Sequence, residues 1–295
     1  MISVSDILSA IECTEFIGNQ SEQISEIISF DEHNADQRKL MWTNVKHSTK
    51  ILPETKGTII IPEGIKVPEH STANFILVKN PRETFRQLMD VFFHEPEPVG
   101  ISCTAQIDAS CILGEHVFIG HHVIIEKGCS IGKYTQISHN TVIYKGTQIG
   151  EHVKIGANTT IGGAGFGYEK DKDGNYQKIY HIGNVVIDDC AEIGSNTTID
   201  RAPLGSTFIH KNVKIDNQVH IAHGVEIGEN TLVIANSMIA GSTRIGSNVW
   251  ISPSVSVLNK MKIKDHSFIG IGSVVVSNIK EKVRVFGNPA RLFES

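Results

Sequence analysis

Between Val99 and Val275 an aliphatic residue returns at every sixth position, and few chain geometries accommodate that period. One block runs from Ile101 through Ile107, Leu113 and Ile119 to Ile161. A second resumes at Ile187, Ile193 and Ile199, and a third, slipped by four residues, runs from Ile209 to Val275. All 26 phased positions are Ile, Leu or Val. The residue two places earlier is small or β-branched almost throughout, as at Ala105, Cys111, Val117, Thr135, Thr141, Ser237 and Val249. An offset of two puts both side chains on one face of a strand, whereas a period of six suits neither a helix nor a plain sheet. A parallel β-helix of hexapeptide repeats satisfies both.

Each hexad supplies one flat side and a corner. Glycines just after the aliphatic, such as Gly114, Gly120, Gly132, Gly156, Gly194 and Gly246, are expected to provide the corner's unusual backbone angles. Three hexads close a triangular coil, and about nine coils stacked at ~4.8 Å give a prism on the order of 40 Å long. The β-branched outer faces of such a prism call for cover by a partner.

Residues 1–98 follow other rules. Gly57–Ile61 and Asn74–Val78 read as short buried strands. Asn80-Pro81-Arg82-Glu83 is a helix start, with Asn80 as N-cap and Glu83 completing a capping box, ahead of an apolar stripe of Phe85, Leu88, Met89 and Phe92. The expected organisation is a small α/β domain over 1–98, a β-helix over 99–277 and a short C-terminal tail over 278–295.

Composition narrows the setting. The chain is 40% hydrophobic with a mean hydropathy of −0.06, and no apolar stretch approaches the roughly 20 residues of a membrane span. The opening MISVSDILSAIECTEF lacks a basic segment and cleavage pattern, so a cytoplasmic protein is expected. A net charge of −5 gives no argument for nucleic acid. Of five cysteines, Cys111 and Cys129 share the inward phase 18 residues apart, and are expected to stack as reduced core thiols.

The breaks in the phase are more informative for chemistry than the coils. Residues 162–186 carry glycines, charge and three tyrosines and must leave the prism wall; a shorter break falls at Asp200–Gly205. The densest polar cluster is Asp216-Asn217-Gln218-Val219-His220-Ile221-Ala222-His223-Gly224. His223 lies two residues past the phased Ile221, hence at a corner and pointing outward. It is either a solvated corner histidine, as His122 and His139 are expected to be, or a base. Gly241, one 18-residue coil further on, sets a backbone N–H beside it, a base and oxyanion-donor pair.

Ile199-Asp200-Arg201, Lys214-Ile215-Asp216-Asn217-Gln218, Ile221-Ala222-His223 and Gly165-Phe166-Gly167-Tyr168, with Val78-Lys79-Asn80-Pro81 and Ile107-Asp108, resemble the UDP-3-O-(3-hydroxyacyl)glucosamine N-acyltransferases of lipid A biosynthesis. The resemblance covers nearly the whole chain to about residue 275. It implies a left-handed coil, a homotrimer with sites between prisms, and transfer of an acyl group from an acyl carrier protein thioester to the 2-amino group of a nucleotide-linked glucosamine. His223 is then the general base, Gly241 N–H the oxyanion donor and Asp216 the group that orients His223. Phe166, Tyr168, Asn217 and Gln218 become substrate-binding candidates, and the thioester is a cosubstrate, with no cofactor or metal expected. Because seven residues separate Asp216 from His223, their contact is expected to need an adjacent subunit.

The chain also departs from that family. In Met41-Trp42-Thr43-Asn44-Val45-Lys46-His47, Asn44 matches the uridine pocket, but Met41 and His47 stand where an aromatic and a tyrosine belong. Trp42 is the alternative stacking surface or a half-buried tryptophan at the domain interface. Lys260 replaces a second site histidine, and His220 a glutamine. The end, Val283-Arg284-Val285-Phe286-Gly287-Asn288-Pro289-Ala290-Arg291, looks like that of sugar acetyltransferases using acetyl-CoA. A nucleotide-sugar N-acetyltransferase of surface-polysaccharide synthesis, fed by a short acyl-CoA, is therefore the alternative. Two weaker alternatives are a zinc enzyme built on His116 and His121, and a non-catalytic scaffold.

Overall fold

The computed structural model describes residues 1–28, 30, 38–45, 51 and 53–293, and the chain divides into two units, Met1–Glu97 and Pro98–Ser295. In the first unit a five-stranded sheet runs in the order Glu15–Ile17, Asn74–Val78, Thr58–Pro62, Lys39–Trp42, Glu26–Ile27, and all neighbours but the first pair are parallel. The strands Thr58–Pro62 and Asn74–Val78 are buried along their whole length, as expected of strands with both faces covered. The helix Pro81–Phe93 starts where Asn80 accepts a hydrogen bond from the Glu83 amide at 3.2 Å. Glu83 does not close a capping box; its carboxylate pairs with Arg86 at 2.7 Å instead, a stronger partner than a backbone amide.

The second unit is a parallel β-helix. Three sheets of eight, eleven and nine strands form its sides. Within the regular coils each strand pairs with the one 18 residues on, as Ile119 with Ile137 and Ile221 with Ile239. The phased aliphatics from Ile119 to Val275 are at most 4% exposed and make one continuous core. The inward position before each strand often holds a threonine, serine or cysteine whose polar atom is satisfied 15 residues on. Thr135, Thr231 and Ser237 donate to the carbonyls of Gly150, Gly246 and Ser252 at 2.8–3.1 Å. Cys111 and Cys129 follow the same rule, toward Glu126 and Tyr144 carbonyls at 3.1 and 3.2 Å. Both thiols are free, and burial pushes that of Cys129 up to about 11, so it is an inert core group.

The corner glycines serve a purpose other than the one expected. None of Gly114, Gly132, Gly156 or Gly194 has a left-handed φ; that conformation falls two residues later, at His116, Tyr134, Asn158 and Asn196 (φ 56–58°). The glycines are required because the next coil passes too close: a Cβ would lie 2.4–2.5 Å from backbone atoms of Lys133, Gly150, Ser195 and Asn217.

Both phase breaks are excursions after which the ladder resumes, the first with a shift of register between Ile161 and Gly163. Across the first, strand partners lie 38 residues apart, as Ile161 with Ile199; across the second they lie 22 apart, as Ile199 with Ile221. The long excursion contains a hairpin of Tyr168–Lys170 against Tyr176–Lys178 and re-enters at Asn184–Ile187. The segment expected as a tail is part of the solenoid unit. Arg284–Phe286 adds in parallel to Phe268–Ile269 and Arg291–Leu292 turns back on it, because Ile279 and Val285 continue the aliphatic core.

Candidate active site

At several corners of the solenoid the first turn residue aims its N–H outward, where a side chain from the next coil takes it. Asp189 accepts from Glu151, Asn217 from Ser195 and Asp265 from Ser247, at 2.7–3.0 Å. Gly241 occupies the same corner position, and among the described residues its N–H has no acceptor. One coil below sits His223. A Cβ on Gly241 would lie 2.6 Å from His223 Cε1 and 2.8 Å from Nε2, so the absence of a side chain is what lets the imidazole rest against this backbone.

The long excursion closes the other side of the ring. A Cβ on Gly165 would meet His223 Cβ at 2.9 Å, and both His223 Cδ2 and His181 Nε2 at 3.0 Å. His181, 8% exposed, stands edge-to-face with His223 at 5.2 Å between ring centroids. Its Nδ1 lies 2.9 Å from the Ile179 carbonyl; a carbonyl only accepts, so the proton is on Nδ1 and Nε2 is bare. His181 Nε2 and His223 Nδ1 are buried without a partner, which leaves His223 Nε2 as the nitrogen a ligand can reach.

Phe166, Asp200, His220, Met238, Asn259 and Lys260 join His223 and Gly241 around a cavity of about 320 Å³. His220 Nδ1 is 2.7 Å from Thr198 Oγ1, and its Nε2 is 3.8 Å from Asp200. Burial drives the Asp200 carboxyl above the usual carboxylate range, against the pull of His220 and His181. Burial, then the neighbouring His181 and His220, hold His223 below the ordinary imidazole value of 6.5. An imidazole so placed is neutral at pH 7 and able to take a proton. Where these neighbours alone face the ring, the acid limb of kcat/KM should have its midpoint below pH 6.5, with activity gained as pH rises through it; a midpoint above about 7 would show that a carboxylate faces the ring as well.

The structure brings His223, Gly241, Phe166 and Lys260 together and separates other candidates from them. Asp216, Asn217 and Gln218 stand on the preceding corner, because one hexad carries the chain across a whole face. There Asp216 accepts from the Asn217 and Ala235 amides at 2.7 and 3.2 Å, and Asn217 accepts from Ser195. Within one chain, then, Asp216 does not orient His223. Tyr168 packs on Phe166 at 4.9 Å and on Tyr176 at 6.5 Å. In the first unit Met41 is fully buried, Trp42 is half-buried against Phe85 at 6.0 Å, and Asn44 is exposed; Lys46 and His47 lie outside the described residues. His116 stacks on Tyr134 at 5.0 Å while His121 bonds Ser102 at 2.8 Å, and no group of three metal-ligating side chains occurs among the described residues. Sequence reasoning missed His181 altogether and noted Asp200 in a break of phase and in a family motif, without giving it a role.

Comparison with known proteins places the fold and the family. Residues 128–163 and 206–241 match the bacterial transferase hexapeptide (six repeats) family. The UDP-3-O-acylglucosamine N-acyltransferase of Campylobacter lari is 44% identical over 253 residues, 82% of this chain and 79% of the relative. That of Helicobacter hepaticus is 40% identical over 256 residues, covering 83% and 78%, and that of Christiangramia forsetii 41% over 246, covering 77% and 72%. Among solved structures, a UDP-N-acetylglucosamine acyltransferase from Campylobacter jejuni superposes with a TM-score of 0.60 at 25% identity, over 66% of this chain and 74% of that one. The stacked hexads and these relatives are those of a hexapeptide-repeat acyltransferase. Within that class, the chain belongs to the UDP-3-O-acylglucosamine N-acyltransferase family.

Proposed function

We propose that this protein moves an acyl group from a thioester to the amino group of a nucleotide-linked amino sugar, the N-acylation step of lipid A synthesis. The observation that carries the reading is the neutral His223 imidazole packed on Gly241, whose N–H is left without an acceptor among the described residues. The amine nitrogen attacks the thioester carbonyl carbon, His223 Nε2 takes the amine proton, and Gly241 N–H donates to the oxyanion of the tetrahedral intermediate. Collapse breaks the C–S bond, and the departing thiolate receives the proton from His223. Lys260, at the same cavity, is a cation beside the carbonyl or the donor's thiol.

Asn44, exposed on the first unit, is the candidate for the nucleotide base there, and Trp42 contributes from a half-buried position. The buried, partnerless Nδ1 of His223 supports assembly as a homotrimer: a carboxylate from a neighbouring copy, with Asp216 as the candidate, would satisfy it. No helix among the described residues is long and apolar enough to cross a membrane, and we place the enzyme in the cytoplasm, where thioester donors are made.

Turnover decides the donor. The purified protein, given a UDP-linked amino sugar and hydroxyacyl thioesters of either acyl carrier protein or coenzyme A, is expected to form the amide, read by mass spectrometry, from the carrier-protein thioester. Product from acetyl-CoA alone would replace this reading with the short-chain one, and no amide from any donor would remove the enzyme assignment.

A further inference from the structure

Arg201 is 5% exposed, and no carboxylate of the described residues lies within ion-pair distance of it. Its Nε donates to the Gly162 carbonyl at 2.5 Å and its guanidinium lies over the Tyr144 ring at 5.8 Å; the two terminal nitrogens have no hydrogen-bond partner among the described residues. A buried guanidinium without a counter-ion is costly unless something else supplies the negative charge.

What surrounds it points to that supply. Alternation along Thr198–Arg201 sends Asp200 to the His223 cavity and Arg201 to a different one, about 600 Å³, lined also by Lys127, Lys145, Tyr144, Ala164 and His181. Lys127 and Lys145 are exposed, lie one coil apart, and continue along an adjoining cavity that Arg201 also lines. Two acids share this cavity, Glu126 accepting from the Lys145 amide at 3.0 Å and Asp108, beside Lys127, accepting from Ser110 at 2.7 and 2.9 Å, so three cations outnumber two carboxylates. The buried Nε2 of His181 belongs to the same lining; without a proton it only accepts, so it adds nothing to the hold on an anion. Three cations against two carboxylates, one of the cations a buried guanidinium with free terminal nitrogens, make a built anion site, with bidentate geometry available from Arg201.

The cavity and the base are one imidazole apart, since His181 lines the first and lies 5.2 Å from the His223 ring. In a sugar joined through C1 to a diphosphate, the nitrogen on C2 is four bonds from the nearest phosphorus, about 4–5 Å at bond lengths near 1.5 Å. We propose that the cavity formed by Arg201, Lys127 and Lys145 binds the diphosphate of the acceptor and so sets the sugar amine against His223. The assignment to the acceptor rests on the function proposed above; the anion site itself does not. The donor also carries phosphate, so the test must separate the two sources.

Inorganic pyrophosphate is the probe. Calorimetric titration of the intact protein should show binding that weakens about tenfold or more in Lys145→Met and in Arg201→Met, the scale of a lost charge-assisted hydrogen bond, and is partly restored in Arg201→Lys. In the transfer reaction pyrophosphate should compete with the nucleotide-linked acceptor and not with the thioester. Lys145→Met should raise the acceptor KM about tenfold with kcat changed far less. Lys145 is exposed, so its variant reports on binding even where Arg201→Met does not fold. Unchanged pyrophosphate affinity in Lys145→Met, or competition against the thioester, overturns the proposal. So does loss of the oligomer in Arg201→Met with unaltered pyrophosphate binding in Lys145→Met, which would assign the missing counter-ion to a neighbouring copy. Were the wild type to transfer no acyl group at all, the functional reading would fail, and the pyrophosphate titration would still decide whether the cavity is an anion site.

Discussion

Replacing His223 with alanine is expected to lower kcat about 10²–10⁴-fold, the span associated with a lost general base, while the fold persists. The fold should persist because the corner is held by backbone: the Ser242 amide donates to the His223 carbonyl at 2.9 Å, a bond that truncation leaves in place. Its side chain is only half-buried, and it is not part of the aliphatic core. The measurement is steady-state turnover alongside thermal unfolding. A kcat within about tenfold of the wild type, in a variant that melts normally, would remove His223 from the chemistry. A fall in kcat with an unaltered acceptor KM would place its contribution in the transition state.

Gly241→Ala should be nearly as damaging, although it adds one methyl group and removes no functional atom. Its φ is not left-handed, so alanine meets no backbone strain, and the loss should be read in rate rather than in melting temperature. The new Cβ would stand 2.6 Å from His223 Cε1 and 2.8 Å from Nε2. The imidazole cannot retreat, because Gly165 lies against its Cβ and Cδ2 on the other side, so it must swing into the cavity. Base and oxyanion donor are then both mispositioned, and kcat should fall about 10²–10³-fold. In a His223→Ala background the same change should do much less, since there is no ring left to displace. Equal effects in both backgrounds would show that the glycine acts on something other than His223.

Periodicity made the solenoid readable because a core of one aliphatic per hexad admits one stacking, and the 18-residue coil located Gly241 over His223 from numbering alone. The same ruler could not pair Asp216 with His223 in one chain: seven residues is one hexad plus one, which lands on the next corner. His181 was beyond reach for a different reason. Its position depends on a hairpin that leaves the wall and returns, and nothing in the order of residues 162–186 says which of them comes back to the prism. The corner glycines were recognised for the wrong cause, since a left-handed φ and a close approach of two coils both select against a Cβ.

Each regular coil closes a contact over 18 residues, so stacking can propagate from neighbour to neighbour as in other repeat arrays, with little entropy lost per step. The step from Ile161 to Ile199 must close 38 residues at once, a further loop-closure penalty of about 0.6 kcal/mol before any new contact forms. That same excursion carries Gly165 and His181 to His223. Propagation of the solenoid is thus expected to pause at the segment that assembles the reacting groups, and a partly folded chain would hold stacked coils on either side of an unformed catalytic edge.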